Sequence, residues 1–212
     1  MVDQPSDTIL GTHPVEEVAE LEKNVEAMPD SGEAHYNLGL ALAQRGEWDR
    51  SSQEFRKALK LKPGLEEARV NLAVVLLQKG DLDGCIEESL KALQFRPDLV
   101  QACINIGIAF TRKGMAEPAI QSLEKALKID PNSVSGHLNL GNAYLALNSI
   151  DKSIEHFSRA VELHDGFAMA HNNLAVALYH KGDKEKAKHH AYRAKELGYP
   201  VHEDFLKAIE EG

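Results

Sequence analysis

Large apolar residues, small residues and polar residues each return at an interval of 34 along most of this chain. Written in rows that begin at Gly32, Glu66, Val100, Val134 and Ala168, one column reads Leu38, Leu72, Ile106, Leu140 and Leu174. The next column holds Gly39, Ala73, Gly107, Gly141 and Ala175. Two more hold only small residues: Ser51, Cys85, Ala119, Ser153 and Ala187, then Ala58, Ala92, Ala126, Ala160 and Ala194. Within a row the apolar positions fall at helical spacing twice, as in Leu38 and Leu42 and then Phe55, Ala58 and Leu59, so each row predicts two helices. Gly46, Gly80, Gly114 and Gly182 stand where the first helix must stop. Asn148, of the type that best tolerates the left-handed conformation after glycine, takes that place in the fourth row. Pro63, Pro97 and Pro131 close the second helix. The small columns follow from packing, because an antiparallel helix pair approaches closely only where a side chain near alanine in size faces its partner. The expected fold class is all-α, a tandem array of antiparallel helix pairs over residues 32–65, 66–99, 100–133, 134–167 and 168–201. A single pair cannot bury both its helices, so neighbouring pairs must stack.

The pattern of Leu38-Gly39, Leu42, Gly46, Trp48, Ser51, Phe55, Ala58 and Pro63, repeated at period 34, resembles the tetratricopeptide repeat. The resemblance covers residues 32 to about 201 and implies a right-handed superhelical solenoid with a concave, partner-binding side. Asp165 replaces the terminal proline in row four, and Pro200 falls one place late in row five. Row five also has Lys184 and Ala191 where row one has Trp48 and Phe55, and is expected to pack less tightly. The ends read as caps. Residues 1–31 comprise an acidic start, expected to be disordered to about residue 12, and an amphipathic helix from near Pro14. Residues 202–212 offer a last helix, apolar at Phe205, Leu206 and Ile209. Terminal units with a polar outer face keep a solenoid soluble.

If Leu38 and Leu42 face the helix partner, Asn37, Leu40 and Gln44 turn to the opposite side, which the resemblance makes the groove. The Asn37 column is Asn37, Asn71, Asn105, Asn139 and Asn173 without exception. Asparagine is a mediocre helix former, so five in five helices require a reason. Its amide carries one acceptor and a two-proton donor, matching the C=O and N–H of a peptide backbone. The row resembles the asparagine ladder of the O-linked N-acetylglucosamine transferase superhelix. A purely structural role remains the competing reading, since asparagine is also common in this column of the family. Flanking columns make the middle of the groove apolar through Val70, Ile104 and Leu138 before the asparagines, with Asn172 in row five, and Leu40, Val74, Ile108, Asn142 and Val176 three places after. Arg112 is the one cation expected on the inner wall of the central rows. The carboxylate clamp that captures acidic C-termini needs Lys or Arg in these columns and finds none. The expected occupant is an extended, partly apolar segment of a partner protein. The alternative is self-association, with a helix of the same chain or of a neighbouring copy filling the groove.

Charge narrows the classes further. Residues 1–31 hold 8 acids and 1 base and residues 202–212 hold 4 and 1, so 21 acids face 22 bases in the repeated body despite the net −9. A nearly neutral body without a basic run argues against nucleic acid. The start lacks a basic leader, and no apolar run reaches the 18 or more residues of a membrane helix, so a cytoplasmic protein without membrane insertion is expected, monomeric or weakly homo-oligomeric. Cys85 and Cys103 form no CxxC pattern and read as packed, reduced thiols. His35, His137 and His171 share a column expected to pack between helices. His156 and His190 share another, about 10 Å apart by the stacking of helices, too far to ligate one metal together. The acidic pairs Glu66-Glu67, Glu87-Glu88 and Glu210-Glu211 read as helix starts or outer faces. No nucleophile–base pair, no metal set and no phosphate loop can be placed, so neither catalysis nor a cofactor is expected.

Overall fold

A computed structural model describes residues 18–210 of the chain. Those residues form twelve helices with no strand among them: α1 Val18–Ala27, α2 Gly32–Gln44, α3 Trp48–Leu61, α4 Glu66–Lys79, α5 Leu82–Phe95, α6 Val100–Arg112, α7 Ala116–Ile129, α8 Val134–Ala146, α9 Ile150–Leu163, α10 Ala168–Lys181, α11 Lys184–Glu196 and α12 Glu203–Glu210. The expected start of the first helix near Pro14 and the first twelve residues lie outside the described ones. The described chain divides into two compact units, one running to Ala109 and the other from Phe110.

Local chemistry sets the helix ends. Ser31, Asp81, Ser133 and Asp183 precede helices and accept a backbone N–H three residues on, satisfying donors that the first turn leaves open. Where α4 stops, Gly80 is left-handed at φ 79°, and Asp81 N–H returns to the Leu76 carbonyl, closing the helix. Asn148 makes the same turn at φ 55°, the one non-glycine residue with positive φ among those described.

In the N-terminal unit, α1 rests its Val18 and Leu21 on Leu38 and Leu42. Phe55, Leu72, Leu76, Val75 and Cys85 lie in one buried cluster. In the C-terminal unit, Phe157, Leu174, Leu178, Leu206 and Ile209 form another, so α12 closes that end with its apolar stripe turned inward. Phe205 adds an edge-on contact to the Tyr179 ring at 5.6 Å.

The small columns do more than allow approach. A Cβ on Gly39 would lie 2.8 Å from the Phe55 ring, and one on Gly141 would lie 2.5 Å from the Phe157 ring. Rows two and five carry Ser89 and Ala191 in the phenylalanine column and have alanine, Ala73 and Ala175, in place of glycine. All four of these side chains are fully buried. Row five thus places Ala191 and Ala175 where row four places Phe157 and Gly141.

Cys85 and Cys103 are free and buried, the Cys85 thiol facing the Asn105 carbonyl at 3.8 Å. A thiol reagent is expected to leave both unmodified in the native protein and to label both after denaturation. Rapid labelling of the native protein would contradict their packed placement.

Candidate functional site

The predicted face is carried by the first helix of each row, and its asparagines meet different fates. In the N-terminal unit Asn37 is exposed, whereas Asn71 and Asn105 are 0% and 1% exposed. Asn71 Nδ2 donates to the Tyr36 hydroxyl at 3.2 Å, and Gln101 Nε2 donates to Asn105 Oδ1 at 2.9 Å. The other amide atoms, Asn71 Oδ1 and Asn105 Nδ2, are buried without a hydrogen-bond partner. Leu40, Val70, Val74 and Ile104 are buried beside them, and Ile108 is half-buried. Burial pushes the Tyr36 phenol up, and Glu67 adds to the shift while the Asn71 bond opposes it.

In the C-terminal unit Asn139 Nδ2 donates to the Ser135 carbonyl of its own helix at 2.8 Å. Asn173 Nδ2 reaches across one row to Asn142 Oδ1 at 3.0 Å, and Asn172 Nδ2 donates to Asn173 Oδ1 at 3.3 Å. Leu138 is buried, Val176 is half-buried, and Arg112 at the end of α6 is exposed. Neither unit presents its asparagines as a uniform row.

A second periodic feature lies in the column of His35, Arg69, His137 and His171, and sequence reasoning missed half of it. Each side chain bonds a residue 19 places on, in the second helix of its row: His35 Nδ1 to Glu54 at 2.5 Å, Arg69 to Glu88 at 2.9 Å, His137 Nδ1 to His156 Nδ1 at 3.1 Å, and His171 Nδ1 to His190 Nδ1 at 3.0 Å. Each also donates to the backbone carbonyl six places back: Pro29, Pro63, Pro131 and Asp165 respectively. Glu88 is thus no outer-face carboxylate; it lies between helices because Arg69 pairs with it at side-chain exposures of 13% and 15%. Burial works against the Glu54 charge, but hydrogen bonds from Lys57 and His35 outweigh it and hold its carboxyl below the ordinary range. The histidines at 156 and 190 meet a partner within their own row, a distance of about 3 Å rather than the roughly 10 Å that separates rows. No group of three or more metal-ligating side chains occurs among the described residues. The signal that would have found these pairs is the constant offset of 19 between two polar columns.

Four family models match the chain. Those covering residues 32–65, 66–99 and 138–196 are described as tetratricopeptide repeat, and one covering 109–148 as TPR repeat. Among solved structures, a thermophilic TPR protein of Thermus thermophilus is similar at 23% identity over 85% of this chain and 98% of its own, with a TM-score of 0.69. YrrB, described as a TPR protein with an unusual peptide-binding site, is similar at 20% identity over 93% of this chain and 100% of its own, TM-score 0.63. PilF of Pseudomonas aeruginosa is similar at 23% identity over 85% of each chain, TM-score 0.74. At these identities the likeness carries the fold alone. Compared with the curated proteins, the chain has no match.

Proposed function

Since the chain belongs to the tetratricopeptide-repeat family, an all-α solenoid of helix pairs, we propose that it is a non-catalytic interaction module. It takes an extended, partly apolar peptide segment of a partner protein on the face that carries the asparagine column. The reading assigns residues 32–201 to recognition, residues 1–31 and 202–212 to the caps, and the protein to the cytoplasm. No helix among the described residues is long and apolar enough to cross a membrane. The observation that carries the reading is the pair of unpartnered amide atoms, an acceptor on Asn71 and a donor on Asn105, one row apart. A buried polar atom left unpaired costs about 1–3 kcal/mol; because Asn71 and Asn105 are closed to solvent, a peptide N–H and C=O would pair with them only as α4 and α6 part to admit the segment. Val70, Val74 and Ile104, buried in this structure, would meet apolar side chains of the segment once it enters. That the similar protein YrrB is a peptide binder supports the choice of ligand class.

The experiment is to recover the partner by co-purification and mass spectrometry, then titrate its binding segment against wild type and the N71A/N105A double variant. Two lost hydrogen bonds should weaken binding about fivefold to 150-fold. The melting temperature should fall only slightly, because alanine favours helix and removes two unsatisfied atoms, which offsets the lost bonds to Tyr36 and Gln101. Unchanged affinity with a clearly lower melting temperature would assign both residues to the fold instead. A second reading has its own support: Val70, Val74 and Ile104 are 1%, 4% and 2% exposed, while α1 rests on Leu38 and Leu42 instead of on them. In that reading the face receives a segment of the same chain or of a neighbouring copy. Light scattering whose apparent mass rises with concentration would favour the neighbouring copy.

A further inference from the structure

The column that joins the two helices of each row changes chemistry between the units. In the N-terminal unit the side chain of this column faces a carboxylate, His35 with Glu54 and Arg69 with Glu88. In the C-terminal unit an imidazole faces an imidazole, His137 with His156 and His171 with His190. The carbonyl bonds fix the tautomers. A carbonyl only accepts, so Nε2 of His137 and of His171 carries the hydrogen, and Nδ1 of each neutral ring must accept from the ring opposite. Each pair is therefore satisfied by a single bridging hydrogen between its two Nδ1 atoms. A hydrogen on both facing nitrogens would place two donors about 3 Å apart.

We propose that these two imidazole pairs make the C-terminal unit acid-labile, so that mild acid opens residues 110–210 while residues 18–109 stay closed. The charged surroundings do not rescue the pairs. Around the first, the α7 and α7–α8 carboxylates Glu124 and Asp130 and the α9 carboxylate Glu155 favour a proton, while Lys152 and Arg159 on α9 oppose it; Tyr144 of α8 stacks on the His156 ring at 5.5 Å. Around the second, Asp165 favours a proton, with Oδ1 3.5 Å from His171 Nε2 while Oδ2 bonds Arg193, and His189 stands edge-on to His190 at 5.0 Å. Burial is the largest influence and lowers His137, His156 and His190, with His137 further lowering His156, and His171 and His189 further lowering His190, which falls from 6.5 to about 4.

A depressed histidine binds fewer protons folded than unfolded. Its stabilising effect is whole above 6.5 and is lost as pH falls toward its folded value. At pH 5 His190 alone raises the opening equilibrium by up to about thirtyfold. Glu54, held below its ordinary value, stays charged at pH 5 and keeps its bond to His35. The helices loosened by acid, α8 and α10, are those that carry Asn139 and Asn173.

Hydrogen exchange of the full chain at pH 7.4 and pH 5, corrected for the intrinsic rate, tests this. Protection in α8 to α11 should fall about thirtyfold or more at pH 5, and protection in α2 to α5 should change less than about threefold. The H156E/H190E variant, which copies the His35–Glu54 pairing, should abolish the loss. If that variant does not fold, H190Q keeps a neutral donor opposite His171 and should remove most of the thirtyfold. Equal protection of the C-terminal unit at the two pH values, or an undiminished loss in whichever variant folds, would overturn the proposal.

Discussion

Phe157→Ala is expected to cost the C-terminal unit about 3–5 kcal/mol, the usual range for truncating a buried phenylalanine. The ring is fully buried in the cluster that also holds Leu174 and Leu178. Its Cδ1–Cε1 side lies against Gly141, which has no side chain to swing in and refill the space. Denaturant unfolding followed by hydrogen exchange would measure the loss in that unit. A cost below about 1 kcal/mol would mean that the helix pair collapses onto the cavity, and the glycine–phenylalanine contact would then not be what spaces α8 from α9.

Gly141→Ala should destabilise the same unit by a net of up to about 2 kcal/mol. Two effects compete. Alanine gains about 1 kcal/mol over glycine in helix propensity, whereas overpacking a close contact costs about 1–3 kcal/mol. Overpacking wins here because the added Cβ would lie 2.5 Å from a fully buried ring. The sign should reverse in the absence of the ring. In the Phe157→Ala background, Gly141→Ala fills part of the cavity and builds the Ala175 and Ala191 arrangement of row five, so the double variant should be more stable than Phe157→Ala alone. A coupling of about 1–3 kcal/mol is expected from the double-mutant cycle. Simple additivity would show that the two columns do not sense each other.

The repeat was legible because its signals are chemical classes in register: one large apolar column, three small ones, and a turn residue tolerant of positive φ. Those are set by helix geometry, and they led to helix pairs whose first members begin at Gly32, Glu66, Val100, Val134 and Ala168. Reading down a column was less informative about what the column touches. The Gly39 and Phe55 columns were both visible, but that glycine goes with a large residue (Phe55, Leu123, Phe157) and alanine with a small one (Ser89, Ala191) appears only when two columns are compared. The same limit applied to Glu88, whose neighbours in sequence are polar and whose partner, Arg69, lies on another helix. The asparagine column was legible as a position and not as a set of contacts. Asn71, Asn105, Asn139 and Asn173 bond three kinds of partner, a tyrosine hydroxyl, a side-chain amide and a backbone carbonyl, because the neighbouring positions differ from row to row.

The carbonyl bonds of the His35 column also act as a ruler. Arg69 reaches the Pro63 carbonyl and His137 the Pro131 carbonyl only because the connection between one row and the next has a fixed count of residues. One residue inserted between Pro63 and Glu66 would carry the Arg69 side chain away from its acceptor and rotate the start of α4 relative to the exit of α3. Deleting a whole block of 34 instead returns an equivalent side chain to an equivalent carbonyl. Length in such a chain is therefore quantised: it can grow or shrink by complete rows at little local cost, while a change of a single residue in a connection breaks a bond on which the next helix depends.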